Sequence, residues 1–239
     1  MSNDFFRFKQ FTVRQSGAAM KVGVDSVLLG SWACVNHAVR ILDVGAGTGL
    51  LSLMMAQRYP DAVIDAVEID REASQQAIEN CTNSPWSNRI RVICDNFIQY
   101  AAHCSLHYDL IVSNPPYFTA SLQPVDAKRN IARHNDCLPH NCLLAGSARL
   151  LAPAGVLAIV LPPADAMRLI DKAAEYDLFV KRTLHVQSLP AKPVYRIHVE
   201  LSKKEYSRDD QVLCIEKTDR SGTTDAYKQL TKDFYLDKN

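Results

Sequence analysis

Apolar runs and amphipathic stretches take turns through the middle of the chain. Val39 to Val44 is nearly continuous in apolar residues and ends at a cluster of glycines, after which Leu50 to Tyr59 continues at helical spacing. Ala62 to Val67 favours strand and closes on Glu68-Ile69-Asp70; Arg71 to Asn80 follows, rich in good helix formers. Ile90 to Cys94 predicts a third strand, ending in Asp95-Asn96-Phe97. Tyr108 to Ser113 predicts a fourth, delivering Asn114-Pro115-Pro116-Tyr117. Leu138 to Leu151 has a helical pattern and Gly155 to Leu161 that of a fifth strand. Pro162-Pro163 then opens a helix running to about Tyr176, a position where proline sacrifices no hydrogen bond. Apolar strands separated by helices predict a mostly parallel sheet covered on both faces. Phe179 to Val186 and Val194 to Leu201 flank Pro190-Ala191-Lys192-Pro193, which predicts a closing antiparallel hairpin at the sheet's edge.

Two stretches lie outside this α/β body. Residues 1–36 form an N-terminal extension, in which Asp25 or Ser26 is expected to cap a helix through Val27-Leu28-Leu29. Residues 37–239 are expected to form the main domain and to end in an appendage, with a short strand at Val212 to Ile215 and a helical pattern from Thr224 to Tyr235. No internal repeat or Gly/Ser-rich linker divides the chain further.

Composition narrows the class. Hydrophobic content of 47% and charged content of 22% are those of an ordinary globular protein. Net charge is +1, so contact with nucleic acid must come from a local patch rather than from a basic whole. The seven cysteines are scattered without a Cys-x-x-Cys pair, which favours reduced thiols over disulfides or zinc. The histidines show no metal-like spacing, so no metal is expected. The first residues lack a basic stretch followed by an apolar one, and no apolar run approaches the ~20 residues of a membrane span. A cytoplasmic monomer without a membrane partner is the expectation.

Candidate chemistry begins at Asp43-Val44-Gly45-Ala46-Gly47-Thr48-Gly49. Glycines at the end of a first strand permit a tight turn and let backbone approach a ligand, with a helix N-terminus behind. Asp43, two residues ahead of the first glycine, would repel a pyrophosphate but suits the ammonium end of S-adenosylmethionine. Glu68, ending the second strand, can accept both ribose hydroxyls. Asp95, ending the third, is placed for the adenine amino group, with Phe97 as a ring contact. Taken singly, each has a plainer reading: a glycine turn occurs in other nucleotide-binding folds, Glu68 could be a solvated strand-end acid, and Asp95 a helix cap.

The second half is Asn114-Pro115-Pro116-Tyr117. An amino group on an aromatic ring or an amide is a poor nucleophile, because its lone pair is delocalised. Accepting both of its hydrogens, by the Asn114 side-chain oxygen and the Pro115 carbonyl, favours a pyramidal nitrogen aimed at a methyl group. The prolines stiffen the loop, and Tyr117 offers a face for stacking a base. A Pro-Pro turn alone would be only structural.

Together these motifs resemble those of the class I methyltransferases that act on amino nitrogens. That resemblance implies a Rossmann-like fold: a seven-stranded, mostly parallel sheet with one antiparallel edge strand and helices on both faces. The flanks carry a closer likeness. Phe6-Arg7-Phe8-Lys9-Gln10-Phe11, the run from Met20 to Gly30, Ala132-Arg133-His134 and the stretch from Tyr227 to Leu236 resemble the bacterial valine-tRNA adenine methyltransferases. The resemblance implies transfer of a methyl group from S-adenosylmethionine to the N6 amino group of adenosine 37 in a valine tRNA. By position, Asp43, Gly45, Gly47, Glu68 and Asp95 would hold the cofactor, and Asn114, Pro115 and Tyr117 the base. Val24 departs from the pattern by standing in the place of a threonine.

Arg7, Lys9, Arg14 and Lys21, interleaved with Phe5, Phe6, Phe8 and Phe11, could meet RNA phosphates or could form a solvated arm whose rings pack on the core. Arg133 is a further candidate for RNA, while nothing in the sequence orients His134 as a base. An N5-glutamine protein methyltransferase and an rRNA guanine-N2 methyltransferase remain alternatives. The short stretch before the first strand disfavours the former; phenylalanine in place of Tyr117 would have favoured the latter. A non-catalytic RNA-binding protein on this fold would be expected to have lost motif residues, and none is lost.

Overall fold

The computed structural model describes residues 4–16, 21–116 and 138–236. An antiparallel hairpin comes first, β1 (Phe5–Arg7) with β2 (Thr12–Arg14), followed by α1 (Val24–Trp32). The alternating body continues as β3 (Arg40–Val44), α2 (Leu50–Arg58), β4 (Val63–Glu68), α3 (Arg71–Thr82), β5 (Ile90–Cys94), α4 (Phe97–His103) and β6 (Tyr108–Ser113). Beyond residues 117–137 come α5 (His140–Leu150), β7 (Leu151–Leu161), α6 (Pro163–Ala173), β8 (Phe179–Gln187), β9 (Val194–Ser202), β10 (Asp209–Cys214) and α7 (Asp225–Thr231).

Strands β3 to β10 form one sheet in the order β10-β8-β9-β7-β6-β3-β4-β5. Only β9 runs against its neighbours; every other pairing in this sheet is parallel. The α/β class read from the apolar runs therefore holds, but two details differ. The sheet has eight strands rather than seven, because β10 from the tail adds to β8. The antiparallel strand, β9, is inserted between β7 and β8 instead of lying at the edge.

Period-two alternation sorts the strand residues between two cores. Ile41, Ile64, Leu110, Val112, Val156, Ala158 and Val160 face α1, α2 and the hairpin's Phe8, Phe11 and Val13. Leu42, Val44, Ile111, Leu157, Ile159 and Leu161 face α4, α5 and α6. Each such Val, Leu, Ile or Phe side chain, buried fully, contributes roughly 1.5–3 kcal/mol relative to exposure. Helix α1 approaches α2 so closely that a Cβ on Gly30 would sit 2.5 Å from Met54 Sδ. A third cluster joins Leu28 and Trp32 of α1 to Leu184, Val186, Leu213 and Tyr227, so the tail supports α1.

Helix α1 starts at Val24 behind Gly23, with no side-chain cap. Neither Asp25 nor Ser26 serves as the N-cap expected of them, and both make tertiary contacts instead: Asp25 Oδ2 meets Arg196 Nε at 2.7 Å, and Ser26 meets the loop after β6.

The strand order reverses between β3 and β6, since β4 and β5 build to one side of β3 while β6 and β7 build to the other. In such sheets the crevice beyond the carboxyl ends at the switch point takes the ligand. Val44 and Ser113, the last residues of the two strands, are register partners. Gly45 and Asn114 consequently leave the sheet side by side.

Candidate active site

The turn after β3 holds three glycines at positive φ: Gly45 at 72°, Gly47 at 56° and Gly49 at 80°. Those angles would strain any residue with a side chain. A Cβ on Gly45 or Gly47 would meet nothing within 4 Å among the described residues, so the turn borders open space. Backbone bonds from Gly45 N and Ala46 N to the Val67 carbonyl, at 2.9 and 3.2 Å, fasten the turn to β4.

Asp43 lies beneath this turn without solvent exposure. Its Oδ2 accepts from Ser52 N at 3.0 Å and from Ser52 Oγ at 2.6 Å, bracing the first turn of α2. Its Oδ1 is buried and has no hydrogen-bond partner among the described residues. Burial raises the Asp43 pKa to about 7, against the lowering effect of the Ser52 bonds and with a smaller raising contribution from Glu68. A buried, under-satisfied carboxylate below an open turn is suited to a cationic ligand.

Glu68 is also buried at the end of β4. Its Oε2 accepts from Gly47 N at 2.7 Å and its Oε1 from Asp70 N at 2.9 Å. A carboxylate offers about four acceptor sites, so capacity remains for hydroxyl donors. Asp95, half-buried after β5, donates its backbone N–H to the Glu68 carbonyl at 3.0 Å and accepts from Asn96 N at 2.7 Å. The helix cap here is Asn96, which accepts from Ile98 N. Phe97 is only 5% exposed and packs in the core with Ala101. Its ring lies 2.6 Å from where a Cβ on Gly146 of α5 would sit, so the expected ring contact is a core residue instead. The exposed apolar side chain beside Glu68 is Ile69, 43% accessible.

Across the switch point, Ser113 Oγ donates to the Val44 carbonyl at 2.9 Å. Asn114 follows half-buried, and its Nδ2 donates to Ser26 Oγ at 2.6 Å. Pro115 is buried and Pro116 exposed. Tyr117, Arg133 and His134 lie outside the described residues. Cys81, near Gly49, has its thiol pushed up to about 12, chiefly by burial and then by Asp43, so it is not a thiolate nucleophile.

In the hairpin, Phe5 is exposed on the side of Arg7, while the later aromatic residues turn inward. Phe8 and Phe11 are buried, whereas Arg7, Lys9 and Arg14 are exposed, as is Lys21 beyond the hairpin. Arg14 comes within 3.5 Å of Glu79. Of the residues that matter here, sequence reasoning missed three. Ser52 and Ile69 could have been found from their places after the glycine turn and after Glu68. Nothing in the spacing of Ser26 links it to Asn114.

Strand order, glycine turn and strand-end acids together define an α/β methyltransferase. Residues 18–170 match the methyltransferase small domain family. A predicted O-methyltransferase from Agrobacterium tumefaciens superposes with a TM-score of 0.69 at 18% identity, covering 90% of this chain and 100% of that one. TrmN from Thermus thermophilus gives 0.54 at 22% identity, covering 75% of this chain and 48% of that one. Both likenesses concern the fold alone. Full-length relatives are more specific: the tRNA1(Val) (adenine(37)-N6)-methyltransferase of Parabacteroides distasonis is 45% identical over 236 residues, 99% of each chain. The proteins of that name from Bacteroides fragilis and Trichodesmium erythraeum are 46% and 45% identical, again over 99% of each chain. This chain belongs to the tRNA1(Val) (adenine(37)-N6)-methyltransferase family.

Proposed function

We propose that this chain methylates the N6 amino group of adenosine 37 in a valine tRNA. The observation that carries the reading is the pairing of β3 with β6, which sets the glycine turn and Asn114 side by side. When bound, S-adenosylmethionine supplies an electrophilic methyl group on a sulfonium. The residues present fit that cofactor: glycine backbone open to a ligand, an under-satisfied buried carboxylate below it, and a strand-end carboxylate beside it.

Glu68 offers its remaining acceptor sites to ribose hydroxyls, and Ile69 an apolar surface to the adenine. Asp95 takes the edge of the same ring. Asp43 braces the turn through Ser52 and places negative charge under the cationic end of the cofactor. On the base side, Asn114 Oδ1 and the Pro115 carbonyl accept the two hydrogens of the target amino group, which sharpens the nitrogen lone pair without a strong base. Tyr117 follows in sequence as the stacking partner. Arg7, Lys9, Lys21 and Arg133 are assigned to RNA phosphates; the first three present exposed side chains.

The test is methylation of a valine tRNA transcript by purified protein, read by nucleoside mass spectrometry. N6-methyladenosine is expected from the natural transcript and none from one carrying guanosine at position 37. Methyl incorporation that ignores that change, or that appears on a protein glutamine, would overturn the reading.

A further inference from the structure

We infer that Ser26 is a positioning residue, holding the Asn114 amide in the place from which it can act. The inference rests on the methyl-transfer reading above and adds a residue that neither the motifs nor the family resemblance assigned to it. An asparagine amide turns about a broad, roughly two-fold torsion, so its oxygen and nitrogen can exchange places. Only one arrangement suits a target that donates hydrogens. With Nδ2 toward the target, two N–H groups would face an amino group that itself donates. The 2.6 Å bond from Asn114 Nδ2 to Ser26 Oγ anchors the amide at its nitrogen end, with Oδ1 turned the other way.

A positioning group is only as good as the element that carries it, and α1 is held from several directions. Asp25, next to Ser26, is paired with Arg196 of β9 at 2.7 Å. At the other end, Arg58 Nη1 donates to the Gly30 and Ala33 carbonyls at 2.7 and 2.5 Å, satisfying acceptors that the helix end leaves open. Val27, Leu28 and Leu29 are fully buried. Tyr227 of α7 joins Leu28 and Trp32 in their cluster, which gives the C-terminal appendage an indirect part in holding Ser26. Strand alternation agrees: Leu110 and Val112 of β6 face the side that α1 covers, and Asn114 continues that period.

The test is a double-mutant cycle on the full-length protein, using valine tRNA transcript and S-adenosylmethionine. Ser26→Ala is expected to lower kcat about 10- to 100-fold, the range for losing one positioning hydrogen bond. The Kd for the cofactor by calorimetry and the thermal midpoint should stay at wild-type values. Ser26→Thr, which keeps the hydroxyl, is expected to restore most of the rate. In an Asn114→Ala background, Ser26→Ala should cost nothing further, because the group it positions is gone. A wild-type kcat in Ser26→Ala, or an equal loss in both backgrounds, would overturn the inference while leaving adenosine 37 as the substrate. Failure of the wild-type protein to methylate the transcript would instead overturn the reading of function itself.

Discussion

Ser113 donates from its Oγ to the carbonyl of Val44, its register partner on the neighbouring strand, at 2.9 Å. This bond joins the last residues of two parallel strands, just where one chain segment enters the glycine turn and the other reaches Asn114. The glycine turn and Asn114 are therefore fixed relative to each other by the sheet.

Removing the acceptor on the base side tests that arrangement. Asn114→Ala is expected to lower kcat about 100- to 1000-fold, the usual loss for one preorganised polar group, with cofactor Kd unchanged by calorimetry. A variant that turned over at the wild-type rate would remove the mechanism.

Asp43, proposed to lie under the cationic end of the cofactor, is expected to make cofactor binding depend on pH. Its pKa is raised from 3.8 to about 7 by burial. In the folded protein the carboxyl is therefore neutral below about 7 and anionic above. Affinity for the cationic cofactor is expected to weaken as pH falls through that value, whereas Asp43→Asn should bind weakly with no such dependence. Stability runs the other way. A raised folded-state pKa contributes stability that is complete below 3.8 and is lost as pH rises through about 7. Asp43→Asn should consequently be the more stable protein at pH 8, by thermal unfolding, even while it fails to bind.

His198 has the opposite sign. It is fully buried on β9, with no partner at either ring nitrogen among the described residues, and burial lowers its pKa to about 3, with Arg196 adding to the shift. The folded protein thus holds a neutral ring where the unfolded chain would gain a proton near 6.5. Its contribution to stability is present above 6.5 and is lost as pH falls toward 3. Denaturant melts of wild type and His198→Leu between pH 7 and 4 should diverge, with the variant losing less.

The exposed cations of the hairpin supply a separate test. Arg7→Ala together with Lys9→Ala is expected to weaken tRNA binding and to lower the slope of log affinity against log salt by about one to two, as for two lost phosphate contacts. Cofactor affinity should not move. An unchanged salt slope would show that these residues do not meet RNA phosphates.

The alternation of strand and helix from Val39 to Tyr176 could be read along the chain because periodicity and turn chemistry are local properties. The glycine turn, Glu68 and Asn114 were legible for a related reason: their spacing relative to strand ends already implies where they emerge. Placement across the sheet was not readable in this way. The antiparallel β9 pairs with both β7 and β8, so it is interior rather than at the edge, and the tail's β10 adds an eighth strand to β8; no local pattern around Asp209–Cys214 names its neighbour. Phe97 is apolar wherever it points; only the space above Gly146 sends its ring into the core.

Linear order alone thus established the fold class, the glycine turn and the Asn-Pro-Pro-Tyr motif, since each depends on residues close together in the chain. Folding supplied the juxtapositions: Asp43 with Ser52 below the turn, and Ser26 with Asn114 across it. Side chains from distant segments meet only when packing of the helices onto the sheet brings them within hydrogen-bonding reach.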